Sequence, residues 1–245
     1  MKILYLARCC RFDLVHPVCM LAREITRWTK ACDRRLYRLV CYMQSTRLLS
    51  QEGYIGDDPD KLTVVVYSDA SFADCTQSSK STSGCFAALV GPNSFFPLNA
   101  LAKKQSVVSH SSTESEIVAL DIGLRVEGIP ILSFWETVVE TLCPEYSDTK
   151  HDARLAGGKK ADDKPGRSFS TSADRLGNIT LDDLVLHTRY SNDSARPQKP
   201  TRLVLCEDND AVIKILTKGR TGALRHLNRT HRIPIDWIVE CIRQS

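Results

Sequence analysis

Three carboxylates stand where the local pattern gives them chemical potential. Asp69 follows the apolar run Thr63-Val64-Val65-Val66-Tyr67. Asp208 follows a second apolar run, Leu203-Val204-Leu205-Cys206. Glu116 sits in Ser111-Ser112-Thr113-Glu114-Ser115-Glu116-Ile117, where a helical pattern starts. Acids at the ends of two strands and early in one helix can converge on one point. Clustered carboxylates repel each other unless a hard cation lies between them, so the trio is a candidate Mg²⁺ site. Two such ions can cleave a phosphodiester.

Each acid also has an ordinary structural role open to it. Asp69 suits a turn at the end of a strand. With Thr113 as N-cap, Glu116 becomes the N3 partner of a capping box, and Glu114 competes for either job. Asp208 suits the N-cap of the helix that follows it. Separate roles of this kind leave the order of elements unexplained: strands, a helix bearing an acid, then a strand with an acid at its end. Asp236 is a further acid open to a role as fourth ligand. Its place in the first turn of a helix opened by Pro234 is accounted for by the helix dipole.

The elements that would hold the trio follow from periodicity. Leu14, Val18, Leu21, Ile25 and Trp28 recur at helical spacing, and Leu36, Leu39, Val40 and Met43 repeat the pattern in a second helix starting near Asp33. These predict a helical hairpin over 1–55 whose apolar face must dock on something. Turn formers at 53–60 separate it from predicted strands at 62–68, 84–90 and 99–106. Helices follow over 111–127 and from Pro130 onwards. Residues 144–200 are rich in Ser, Asp, Arg and Gly and offer little to bury, which predicts a disordered or loosely folded insertion. A strand at 202–206, a helix from about 209 to 217 and a last helix from Pro234 complete the pattern. Between them lies a basic stretch, 225–232, open to nucleic acid or to solvent.

Composition excludes little. An apolar content of 42% is enough for a sizeable core, and a net charge of +4 permits a polyanionic partner without demanding one. Ten cysteines show no C-x-x-C pair, which argues against a zinc site. Several lie in apolar runs and read as reduced, the pattern of an intracellular protein of cytoplasm or nucleus. No apolar stretch reaches the roughly 20 residues of a membrane span, and the first residues are too briefly apolar for a signal peptide.

Five blocks carry a family resemblance in order: Tyr67-Ser68-Asp69-Ala70-Ser71-Phe72-Ala73-Asp74, Lys80-Ser81-Thr82-Ser83-Gly84, Lys103-Lys104-Gln105, Ser111-Ser112-Thr113-Glu114-Ser115-Glu116 and Cys206-Glu207-Asp208-Asn209-Asp210-Ala211. Together they resemble the ribonuclease H region of copia-type retrotransposon Pol polyproteins. Tyr5-Leu6-Ala7-Arg8, Arg11-Phe12-Asp13-Leu14, Leu21-Ala22-Arg23 and Arg38-Leu39-Val40-Cys41-Tyr42-Met43 resemble the tail of the reverse transcriptase that precedes it. Residues 144–200 fall outside the resemblance.

The resemblance implies an α/β fold of the ribonuclease H type: a mixed sheet with flanking helices over 61–143 and 201–245, preceded by the helical tail over 1–55. It implies hydrolysis of the RNA strand of an RNA–DNA hybrid during reverse transcription, with two Mg²⁺ ions, or Mn²⁺, on Asp69, Glu116 and Asp208. Glu116 rather than Glu114 matches the family's helix glutamate, because Ile117-Val118-Ala119 follows it. Ser71, Asn209, Arg225 and Arg229 are candidate nucleic-acid contacts, and the rest of a reverse transcriptase is a candidate partner. The polymerase's paired-aspartate motif is not among these residues, so no polymerase activity is expected. The family continues with one more strand and a helix bearing a fourth carboxylate, which implies a C-terminally truncated domain. A catalytically inactive retrotransposon remnant with weak nucleic-acid binding is the alternative expectation.

Overall fold

The computed structural model describes residues 2–75, 77–143, 185–188, 201–219, 224 and 226–243. The β-branched run after Leu62 forms β1 (Thr63–Ser71). It pairs antiparallel with β2 (Thr82–Gly91), which pairs antiparallel with β3 (Ser94–Lys104). On the other side of β1, β5 (Arg202–Cys206) runs parallel to it, and β4 (Val185–Thr188) runs antiparallel along β5. The order β3-β2-β1-β5-β4 makes this an α/β protein with a mixed open sheet.

The third strand begins earlier than the expected 99–106 because Pro97 lies inside it. Proline cannot donate to a ladder, so a sequence reading starts the strand after it. Here β3 is the sheet's outer strand, and its pairing with β2 steps past Leu98 through a bulge between Ala87 and Ala88.

One face of the sheet is covered by α4 (Ser112–Ile122), a π-helical segment (Gly123–Gly128) and α5 (Ile129–Leu142). Two helices split near Pro130 are expected. Helical backbone instead continues through a π turn that ends just before Pro130, so the proline falls in the first turn of α5 where no N–H is missed. Residues 114–121 are all buried, so α4 is a central helix with no solvated stripe. Ile117, Leu120 and Leu124 pack on Val64, Val66, Leu203 and Leu205, all at most 1% exposed. α6 (Asp210–Lys218), stopped by Gly219 at φ 72°, adds Val212 and Leu216 to this core. Short α7 (Leu227–Thr230) and α8 (Ile235–Arg243) add Leu227 and Ile238. Arg125 of the π segment pairs with Asp121 at 2.7 Å and lies 4.2 Å from the Trp237 ring centroid, tying α8 to the central helix.

The first residues form three helices, α1 (Lys2–Cys9), α2 (Val15–Ala22) and α3 (Lys30–Ser45), rather than the expected hairpin of two. The helical period through Ile25 and Trp28 does not mark a helix. Ile25 lies in a 3₁₀ turn and both side chains are exposed, with Trp28 Nε1 donating to Asp33 Oδ1 at 2.7 Å. The expected docking of an apolar face does occur. Ala7, Leu14, Val18, Leu21, Cys32 and Leu39 form a second core that packs on Ala100 and Ala102 of β3.

Of the stretch 144–200, only 185–188 is described, and it forms β4 along the edge of β5; the rest of the expected loosely folded insertion lies outside the described residues. All ten cysteines are free thiols. Among the described residues no helix is long and apolar enough to cross a membrane.

Candidate metal centre

Strand register brings two of the three acids together. Tyr67 of β1 pairs with Cys206 of parallel β5, so Asp69 and Asp208 each stand two residues past a matched pair. They emerge at the same end of neighbouring strands, the end where open α/β sheets bind ligands. α4 crosses above them and supplies Glu116. One carboxylate oxygen from each of Asp69, Glu116 and Asp208 lies within 4.8 Å of the other two. Asp69 and Asp208 are exposed, whereas Glu116 is buried.

Glu116 carries the electrostatic signature of the cluster. Its Oε2 is shielded from solvent and has no hydrogen-bond partner. Such an orphaned acceptor is costly unless something else satisfies it. Burial, then the charges of Asp69 and Asp208, push its carboxyl up to about 7, against a donated hydrogen bond from the Ala70 backbone. Three carboxylates, one of them with an unsatisfied oxygen, could together hold a hard divalent cation such as Mg²⁺ or Mn²⁺.

The ordinary roles considered for these acids belong to their neighbours. Ser111, not Thr113, caps α4, its side chain accepting from Glu114 N at 3.1 Å. Glu114 is therefore the N3 residue, and its Oε2 accepts from His110 N at 2.7 Å. Asn209, not Asp208, caps α6, accepting from Ala211 N and Val212 N. Glu116 and Asp208 are left free to face each other.

Glu207 is a buried acid beside the cluster that the sequence pattern hides. It is 2% exposed and near enough to Glu116 and Asp208 for their charges to act on it. The Ser68 hydroxyl donates to its Oε2 at 3.2 Å, and Asn209 N donates to its Oε1 at 3.3 Å. Burial, then the charge of Glu116, push its carboxyl up to about 8. Its bonds hold the turn that carries Asp208 against β1. The signal that could have found it is Leu203-Val204-Leu205, apolar at every position: a strand buried on both faces carries its next residue inward too.

Glu114 has a second task. Its Oε1 lies 3.3 Å from His226 Nε2 and 2.9 Å from His231 Nε2, the latter a close approach without hydrogen-bond geometry. The His231 side chain is 2% exposed and that of Glu114 1%. The basic segment is thus tied to the N-terminus of α4, two residues before Glu116. Both histidines are candidates for general bases or phosphate contacts in the sequence; the structure turns both to Glu114.

Of the candidate nucleic-acid contacts, Ser71 is exposed at the end of β1 beside Asp69. Asn209 spends its side-chain oxygen on the α6 cap, and Arg229 is exposed on α7. Arg225 lies outside the described residues. Asp236 is exposed in the first turn of α8 and does not join the acidic cluster.

A pH dependence follows. Glu116 at about 7 and Glu207 at about 8 both sit above the unperturbed 4.5, so the folded state holds these protons more tightly than the unfolded chain. Their contribution to metal-free stability is full below pH 4.5 and is lost as pH rises through 7 and 8. Asp13 and Asp57, held below the usual carboxylate value by Arg11 and by Ser94, act oppositely but only in the acid range; the Cys75 thiol, lowered to about 6 by Lys104 and Ser78, opposes the trend above pH 6 but lies in an open, solvent-screened setting. Chelator-treated protein is therefore expected to lose denaturant resistance from about pH 5 to about pH 8.5, and added Mg²⁺ to restore more of it as pH rises. Metal-free stability that climbs across this window would show that the two carboxyls are not protonated together as described.

Comparison of the chain with protein-family models, with curated proteins and with solved structures returned no match.

Proposed function

We propose that this is a ribonuclease H-like domain that hydrolyses the RNA strand of an RNA–DNA hybrid, as in copia-type retrotransposons. The observation that carries the reading is the convergence of Asp69, Glu116 and Asp208 around the orphaned Glu116 oxygen. The sheet order supports it: an antiparallel meander whose first strand is joined by a parallel one, with the acids at that junction. The five sequence blocks support the family and the hybrid substrate.

Asp69, Glu116 and Asp208 would hold the cations. Bound there, divalent ions would polarise the scissile phosphate and lower the pKa of the attacking water. The protein's own part is positional. Asp69 and Asp208 present oxygens on the open side of the cluster, where a phosphate can approach. Glu116 fixes the buried side. Glu207, through Ser68 and the Asn209 backbone, sets the turn that aims Asp208. Exposed Lys103 and Arg229 supply positive charge for a backbone read by shape and 2′-hydroxyls rather than by base sequence. α1–α3 correspond in this reading to the end of a reverse transcriptase docked on its ribonuclease H sheet.

The test is cleavage of a labelled RNA–DNA hybrid in Mg²⁺, wild type beside Asp69→Asn. Cuts in the RNA strand by wild type alone are the expected result. Absence of cleavage by wild type would favour an inactive remnant that at most binds nucleic acid weakly. Equal cleavage by Asp69→Asn would remove Asp69 from the site.

A further inference from the structure

A cleft opens on the sheet face opposite α4, between β1–β2–β3 and the N-terminal helices, with a volume of about 340 Å³. That is the lower end of small-ligand sites, roughly 300–1,000 Å³. Its walls are aromatic. Phe12, from the turn before α2, meets Phe86 of β2 edge-on at 6.1 Å, and Tyr67 of β1 lies 6.2 Å from the same ring. Tyr67 is 43% exposed, so one aromatic of this wall is open to a partner. The floor includes Gly84, where an added Cβ would meet nothing nearer than the Asp69 carbonyl oxygen at 3.7 Å. One end is lined by Asp69 and Ser71.

Asp69 therefore belongs both to the cleft and to the acidic cluster. A ligand spanning the two needs a flat apolar ring at one end and an anion that a cation can bridge to carboxylates at the other. A nucleotide has that constitution. We propose that the cleft takes one unstacked nucleobase of the strand whose phosphate is held at Asp69, Glu116 and Asp208. Aromatic faces accept any base, so the site selects an unpaired nucleotide rather than a sequence. Phe12 and His16 make the N-terminal segment part of the binding site, beyond its role as a docked layer. The inference rests on the proposed metal-dependent nuclease reading and adds to it a base-binding subsite on the far side of Asp69.

The probe is a short single-stranded oligonucleotide carrying 2-aminopurine, titrated with the full chain in Ca²⁺ to hold the phosphate without Mg²⁺-supported hydrolysis. Stacking in the cleft is expected to quench its fluorescence. Two variants act in opposite ways: Tyr67→Ala removes a wall, and Gly84→Ala adds a Cβ to the floor without a clash. Each is expected to weaken binding at least about fivefold, the lower range for loss of one base–aromatic contact. Mn²⁺ binding, read by electron paramagnetic resonance, is expected to persist in both and shows that the fold and the cluster survive. Wild-type binding by both variants, or no quenching by wild type, overturns the proposal. Cleft-dependent quenching without hybrid cleavage would sink the ribonuclease reading and leave the subsite standing; cleavage with cleft-independent quenching would do the reverse.

Discussion

Glu116→Gln is expected to abolish Mg²⁺-dependent hybrid cleavage and at the same time to stabilise the metal-free protein above neutral pH. The two effects share one cause. Glu116 is buried between two other acids, and its carboxyl is pushed from 4.5 up to about 7. Above that pH it is charged, and the folded state bears on the order of 3 kcal/mol of unfavourable interaction. Glutamine carries no charge at any pH and can donate to Asp69 or Asp208. The chelator-treated variant should therefore melt several degrees above wild type at about pH 8 and match it near pH 4.5. Added Mg²⁺ should raise the wild-type Tm and leave the variant almost unmoved. Several kcal/mol of transition-state stabilisation would depend on ions held there, so cleavage should fall about a thousandfold or more. Loss of cleavage with loss of stability in chelator would mean that Glu116 supports the fold and that the cost of burying its charge beside Asp69 and Asp208 does not govern stability there.

That trade-off explains which parts of the site are legible in the sequence. Asp69 and Asp208 stand out because each ends an apolar run, and parallel pairing of the runs places them side by side. Glu116 is harder. Ser111, Ser112 and Thr113 can each cap a helix, and moving the cap by two residues exchanges the roles of Glu114 and Glu116. Only the packing of α4 against β1 fixes the choice. Glu207 leaves no trace of alternation because both faces of β5 are covered. The helical period through Ile25 and Trp28 misleads for a related reason: spacing records where apolar side chains fall, not whether a core waits for them. Pro97 hides the first half of β3, since a bulge on an outer strand tolerates what a central strand would not. The fold class and the acidic trio thus follow from local pattern. The shell that orients the trio depends on contacts as distant in sequence as Ser68 and Glu207.

The second large effect belongs to Glu114. Glu114→Ala removes the acceptor for His110 N and the partner of His226, and leaves the buried His231 side chain facing a void where a carboxylate stood. Removing the acceptor of a buried hydrogen bond costs about 1–3 kcal/mol, because the donor is left unsatisfied. The loss should appear in urea or thermal denaturation of the full chain. His226 and His231 lie on either side of α7, so the segment 226–231 should detach from α4 before the core melts. Faster amide hydrogen exchange confined to that segment would report the detachment. Glu114→Gln keeps a side-chain oxygen for His110 N and should lose less. Asp236→Asn, an exposed acid outside the cluster, should stay within about 0.5 kcal/mol of wild type. An effect below about 1 kcal/mol for Glu114→Ala would show that the two histidines merely lie near the carboxylate. A large effect accompanied by weaker Mn²⁺ binding would go further. Glu116 sits half a turn beyond Glu114, and anchoring that first turn of α4 is then what holds the third ligand over Asp69 and Asp208.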